Sequence, residues 1–173
     1  MAQITLNTLK KHRADETKFS MVTAYDACFA NLASEAGVDS ILVGDSLGMV
    51  LQGRQSTLPV TVADIAYHTQ CVAAASPHCL IVADIPFMAS VTTQDAVDTA
   101  RELMQAGAHV VKVEGGSNLV DLIQLYRDQG IPTCCHLGLT PQFVNQFGGY
   151  RVQGRTDAAA KRLIDAAAAL DAA

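Results

Sequence analysis

Hydrophobic residues in this chain fall into short unbroken runs, separated by stretches where they recur at helical spacing. Ile41-Leu42-Val43, Leu80-Ile81-Val82-Ala83 and Val110-Val111-Lys112-Val113 have the near-continuous apolar character of strands buried on both faces of a parallel sheet. Phe19 to Thr23 and Thr133 to Cys135 read as a first and a fifth strand. The spacing and capping residues between them predict helices. Residues 5–16 read as an amphipathic lead-in helix with Leu6 and Leu9 as its apolar contacts. Asp26 caps a helix through Phe29, Leu32 and Ala33 that stops at Gly37. Thr61 caps one through Ile65, His68, Val72 and Ala75, and Thr93 opens one that ends near Gly107. A helix of about ten residues, a common length, ends near Gly130. Asp157 starts an alanine-rich helix through Leu163, Ile164 and Leu170. Residues 44–60 and 137–156 read as long loops, and loops of that length are usually functional.

Three segments share one grammar: Ala36-Gly37-Val38-Asp39, Ala106-Gly107-Ala108-His109 and Gln129-Gly130-Ile131-Pro132. Each is a helix stop that feeds a strand. Five strand–helix units in series imply a parallel α/β sheet, either open and doubly wound or closed as a (β/α)8 barrel. The length suits the open sheet, because a barrel typically takes about 250 residues. However, the first strand–helix turn, Thr23-Ala24-Tyr25-Asp26, lacks a glycine-rich phosphate loop. Polar residues also sit at successive strand tips rather than at one switch point. The expected fold is therefore the TIM barrel, with residues 1–173 forming one domain that holds the first five βα units of an incomplete barrel.

Composition narrows the functional classes. Half the residues are hydrophobic, 17% are charged and the net charge is −5, which suits a globular domain and argues against a nucleic-acid binder. No apolar stretch approaches a membrane span, and the N-terminus lacks the apolar core of a signal peptide. Cys28, Cys71, Cys79, Cys134 and Cys135 are odd in number without Cys-x-x-Cys spacing. They read as small buried hydrophobes in a reducing cytoplasm.

The candidate chemistry lies at the strand tips. Asp45 and Ser46 follow Gly44 after the second strand, Asp84 ends the third and Glu114 the fourth. Taken singly, each acid is as well explained as a helix cap or a turn residue. This holds least for Asp84, since Ile85-Pro86 leaves no helix start to cap. Together, three carboxylates at one rim suit a hard cation such as Mg2+, which prefers oxygen ligands. Lys112 lies two residues before Glu114 and so on the same strand face. It reads as a buried cation for an anionic ligand, or as a salt-bridge partner of Glu114. His136 ends the fifth strand, either on the same rim or as a structural hydrogen-bonding residue. His12, His68, His78 and His109 read as helix-face or loop residues, and Met21, Met49, Met88 and Met104 as packing. A cation, an ammonium and an imidazole on one rim suit a 2-oxo acid and metal-assisted enolate chemistry.

The motifs Thr-Ala-Tyr-Asp at 23–26, Val-Gly-Asp-Ser-Leu-Gly-Met at 43–49, STLPVTVADIAYHT at 56–69, ADIPFM at 83–88, VKVEGG at 111–116, HLGLTPQ at 136–142 and FGGYRVQGR at 147–155 occur in order. With them the chain closely resembles the ketopantoate hydroxymethyltransferase family from about Ile4 onward. The resemblance implies a (β/α)8 barrel that transfers a hydroxymethyl group from 5,10-methylenetetrahydrofolate to 3-methyl-2-oxobutanoate in pantothenate synthesis. It implies Asp45 and Asp84 as Mg2+ ligands, with Glu114 in or next to the metal shell. It also implies Ser46, Lys112 and His136 at the substrate, and leaves the folate-binding residues unassigned. The expected setting is the cytoplasm, with a homo-oligomer when full length. The family's proton-accepting glutamate lies on a sixth strand, beyond residue 173. The expectation is therefore a chain that lacks the general base, is inactive alone and exposes open sheet edges. Competing readings are a Mg2+-dependent carbon–carbon lyase of the phosphoenolpyruvate mutase and isocitrate lyase type, and a non-catalytic half-barrel that pairs with a partner chain.

Overall fold

The computed structural model describes residues 2–76 and 78–173. After a lead-in helix α1 (Leu6–Ala14) come β1 (Met21–Thr23), α2 (Ala27–Glu35) and β2 (Ser40–Val43). Then follow a single-turn helix α3 (Leu47–Val50), α4 (Val62–Ala75), β3 (Leu80–Asp84), α5 (Thr93–Gln105) and β4 (Val110–Glu114). A 3₁₀ turn (Ser117–Leu119) leads into α6 (Val120–Asp128) and then β5 (Thr133–His136). A second 3₁₀ turn (Pro141–Phe143), α7 (Val144–Phe147) and α8 (Asp157–Ala172) complete the order. The two long loops of the sequence reading thus each carry a short helical turn. No helix among the described residues is long and apolar enough to cross a membrane.

The five strands form one parallel sheet in the order β1-β2-β3-β4-β5. Sequential order with a helix after every strand is the arrangement of adjacent barrel staves, not of a doubly wound sheet, whose order reverses at a switch point. The local signals operate as expected. Asp26, Thr61, Thr92 and Thr156 cap their helices through side-chain oxygens, Thr61 and Thr92 within reciprocal capping boxes. Gly37, Gly107 and Gly130 take positive φ of 78°, 112° and 74°. In each case the following amide bonds back into the helix, as from Val38 to Ala33, Ala108 to Leu103 and Ile131 to Tyr126.

Two apolar layers lie on opposite faces of the sheet. The larger packs helix residues such as Ile65, Val72, Leu103, Ile123 and Tyr126 on Ile41, Val43, Ile81, Ala83, Val111 and Val113. The smaller, on the barrel's inner face, joins Leu80, Val82 and Val110 to Ile4, Leu9, Leu42 and Cys134. The segment before β1 therefore closes the bottom of the inner face, and the Ile4 amide donates to the His78 carbonyl at 2.8 Å.

Ile41 and Val111 are fully buried under the helices, whereas Val22 is exposed on the edge strand. Two helix faces differ from the sequence reading. Phe29 and Leu32 point outward, and α2 buries the smaller Ala30 and Ser34. Leu6 is exposed, leaving Leu9 as the apolar contact of α1. Among the cysteines only Cys79 is buried, while Cys28 is exposed and the other three are half-buried. As expected for sheet edges, no residue of β1 or β5 is buried.

His109, assigned no role from sequence, secures the start of β4. Its backbone amide donates to the Ile81 carbonyl at 2.8 Å, and its Nδ1 accepts the Ile81 amide at 3.0 Å. Burial holds its pKa below the ordinary histidine value. The folded pKa lies below the unfolded one, so this contribution is present at neutral pH and lost as pH falls through the histidine range. His109→Asn keeps an acceptor without titrating. The stability of wild type relative to His109→Asn should therefore fall between pH 7.5 and pH 5, as read by urea unfolding at each pH.

The helix stops yield a second test. A Cβ on Gly107 would meet the Ala73 Cβ at 2.6 Å, whereas a Cβ on Gly130 meets nothing within 4 Å. Gly130→Ala should cost about 1 kcal/mol, the conformational strain alone, and Gly107→Ala at least about 1–2 kcal/mol more. Equal denaturation midpoints for the two variants would contradict the close α4 approach.

Candidate functional site

Strand alternation and parallel register together assemble the rim. Residues paired across a parallel ladder share a face, and here Asp84 pairs with Lys112 and Glu114 with His136. Lys112 also pairs with Cys134. The side chains of Asp84, Lys112, Glu114 and His136 thus lie on one face, above the small inner layer. Asp45 arrives from the turn after β2, where Gly44 supplies space: a Cβ there would lie 2.9 Å from Ser46 Oγ and 3.3 Å from Asp84 Oδ2.

The carboxylates are deeply buried, with Asp45 and Asp84 each 3% exposed and Glu114 9%. Lys112 Nζ donates to Asp84 Oδ1 at 2.6 Å and lies 3.7 Å from Glu114 Oε1. Of the two sequence readings for Lys112, the ion pair is present, but its closer partner is Asp84. The second Asp84 oxygen accepts the Asp45 amide at 3.0 Å. His136 Nδ1 lies 2.8 Å from Glu114 Oε1 and donates to it, while Glu114 Oε2 accepts the Gln142 amide at 3.0 Å.

The charges respond to this packing. Burial, then the proximity of Asp84 and Glu114, pushes Asp45 up to about 6, although Gln142 and Lys112 oppose it. Burial likewise raises Asp84, against the pull of Lys112 and the Asp45 amide. Burial would raise Glu114 too, but His136, the Gln142 amide and Lys112 outweigh it and hold the pKa below the ordinary value. Lys112 loses hydration by burial, yet Asp84, Glu114 and Asp45 more than compensate and raise its pKa. Lys112 is therefore ammonium, and the pocket remains richer in negative than in positive charge.

Two participants were missed from the sequence. Gln142 Nε2 donates to Asp45 Oδ2 and to the Ile85 carbonyl, both at 2.9 Å. Tyr25 hydroxyl lies 2.8 Å from Ser46 Oγ, and its carbonyl lies 2.7 Å from His68 Nδ1. Both fall in motifs already singled out, Thr-Ala-Tyr-Asp and HLGLTPQ, but neither is charged, and charge was the signal followed. His68 supports Tyr25 rather than standing as an idle helix residue. Beside the rim, a cavity of about 520 Å³ is bounded by Phe87, Val91, Leu122, Leu125 and Phe143, with Glu114 and Gln142 at its polar side.

No three His, Cys, Asp or Glu side chains among the described residues are gathered as a ready metal-binding group. Both oxygens of Asp84 and both of Glu114 hold protein donors. The donor chemistry nevertheless fits a hard cation. The set is all oxygen, and burial next to Asp84 leaves Asp45 short of positive charge.

The family model for ketopantoate hydroxymethyltransferase matches residues 3–173. A 3-methyl-2-oxobutanoate hydroxymethyltransferase of Marinobacter nauticus is 56% identical over 170 residues, covering 98% of this chain and 64% of that protein. Its counterpart in Psychrobacter arcticus is 57% identical over 166 residues, covering 96% and 62%. The chain thus spans a little under two thirds of the length of these relatives. Among solved structures, a 2,3-dimethylmalate lyase, a member of the PEP mutase/isocitrate lyase superfamily, superposes with a TM-score of 0.65 over 98% of this chain and 59% of that one. At 17% identity that likeness bears on the fold alone, and the fold is that of the (β/α) barrel.

The Asp84–Lys112 pair should dominate the stability of the rim. Removing one charge from a buried pair leaves the other uncompensated, so Asp84→Asn or Lys112→Met should each cost about 3–5 kcal/mol. The double variant should cost less than the sum of the two, and a double-mutant cycle by urea unfolding reads the coupling. Additive losses would mean that the pair is not formed in solution.

Proposed function

The chain belongs to the ketopantoate hydroxymethyltransferase family, and from that membership we propose that its rim binds 3-methyl-2-oxobutanoate for hydroxymethyl transfer. The product is 2-dehydropantoate, a precursor of pantothenate and coenzyme A, and the hydroxymethyl donor is 5,10-methylenetetrahydrofolate. The observation that carries this reading is the meeting of Asp45, Asp84, Lys112, Glu114 and His136 at one rim, in a chain more than half identical to enzymes of that name.

Asp45 and Asp84 would hold Mg2+, with Glu114 next to it. When bound, the cation would polarise the ketone oxygen and favour the enolate left once a base takes the proton of the neighbouring carbon. The groups of this chain bind and orient the substrate. Lys112 presents an ammonium to the substrate carboxylate and carbonyl, while Asp84 and Glu114 restrain its position. Ser46, with its hydroxyl tied to Tyr25, offers a fixed polar contact just past β2. Glu114 accepts the His136 Nδ1–H and so fixes the ring, leaving Nε2 as the ring nitrogen free to meet the substrate. Burial of the carboxylates keeps water from competing for these charges.

Calorimetric titration with 3-methyl-2-oxobutanoate in the presence of Mg2+ tests the reading. Lys112→Ala removes a charge-assisted contact worth about 1.5–3 kcal/mol, so affinity should fall roughly ten- to hundredfold. Unchanged affinity in a folded Lys112→Ala variant would remove Lys112 from the substrate site.

A further inference from the structure

Gln142 is the residue through which the segment after β5 reaches the tips of three other strands. Its backbone amide donates to Glu114 at the end of β4. Its side-chain amide donates to the Ile85 carbonyl just past β3 and to Asp45 just past β2. One carboxamide nitrogen thus spends both of its hydrogens across the rim, and its partner Asp45 is 97 residues away in sequence. Lys112 turns to Asp84 and Glu114, at 2.6 and 3.7 Å, and it is Gln142 that gives the Asp45 carboxylate a side-chain hydrogen bond.

We propose that Gln142 is a positioning residue that orients the Asp45 carboxylate for a divalent cation and ties the segment 137–147 to the filled or empty state of that site. This rests on the reading of Asp45 as a cation ligand. The physical basis is that a carboxylate oxygen has two lone pairs. Asp45 Oδ2 can keep the Gln142 hydrogen bond and still face a cation, and the bond selects one carboxylate orientation beforehand. Because the same side chain grips the Ile85 carbonyl, ordering Asp45 also orders the segment that carries Phe143, a wall of the adjacent cavity. By reciprocity, a cation that favours the oriented carboxylate also favours the fastened segment.

Gln142→Met isolates the effect. It keeps the approximate side-chain volume and the backbone bond to Glu114, and replaces the carboxamide, with its two donor hydrogens, by a thioether that cannot donate. Asn145→Ala, in the same segment but outside the rim contacts, is the control. Mn2+ titration followed by the electron paramagnetic resonance of free Mn2+ reads affinity without turnover. Hydrogen exchange of residues 138–147, with and without Mg2+, reads the segment. Wild type and Asn145→Ala should bind Mn2+ alike, and Gln142→Met should bind about tenfold or more weakly, the usual loss for a group that orients a ligand. Exchange in 138–147 should be faster in cation-free Gln142→Met than in wild type, with β2 to β4 still protected, and Mg2+ should slow it in wild type. Wild-type affinity in Gln142→Met, or an equal loss in Asn145→Ala, would overturn the positioning role while leaving Asp45 as a ligand. Failure of wild type itself to bind Mn2+ would overturn the cation reading, and this inference with it.

Discussion

The rim depends on one ammonium group shared between buried acids. Lys112 lies 2.6 Å from Asp84 and 3.7 Å from Glu114, and all three project from the ends of adjacent parallel strands. Burying charges is costly unless they are paired with good geometry, and this pairing is what allows two nearly inaccessible carboxylates to sit on the sheet. The other rim bonds follow from the same requirement. Asp84 has an oxygen left for the Asp45 amide, and Glu114 divides its oxygens between His136 and the Gln142 amide. Asp45 takes its side-chain hydrogen bond from a carboxamide, and burial, with Asp84 beside it, raises its pKa.

The scaffold holds this cluster by keeping its two faces chemically distinct. The outer face is a broad apolar layer under the helices, which fixes strand positions through close packing. The inner face has only a small apolar cluster, closed below by the segment that precedes β1, and its upper half is left to polar groups. Strand alternation alone enforces the division: Val111 and Val113 turn to the helices while Lys112 and Glu114 turn inward. Glycines mark the positions where backbone must come close or turn, Gly44 beside Asp84 and Gly107 against α4.

What the amino-acid sequence determined by itself was everything that depends on near neighbours along the chain. Apolar runs marked the strands, threonine and aspartate marked helix starts, and three glycines with positive φ marked helix stops. Strict alternation along β4 was enough to place Lys112 and Glu114 on one face. Acids at successive strand tips pointed to a shared rim, because a parallel barrel brings those tips together. Which helix stripe would be buried was less legible. Ala30 and Ser34 form a stripe next to Phe29 and Leu32, and close helix packing selected the smaller residues.

Tertiary structure alone decided the partners. Register pairs Asp84 with Lys112 and Glu114 with His136, and a parallel ladder's register is set by the packing of whole strands, to which no local pattern points. This is why Lys112 favours Asp84 over its sequence neighbour Glu114 and why His136 is already engaged. The same holds for Gln142 and Tyr25, neutral residues whose roles come from contacts across the fold. A hydrogen bond between groups far apart in sequence exists only once the backbone has brought donor and acceptor within about 3 Å of each other, and that distance is a property of the fold.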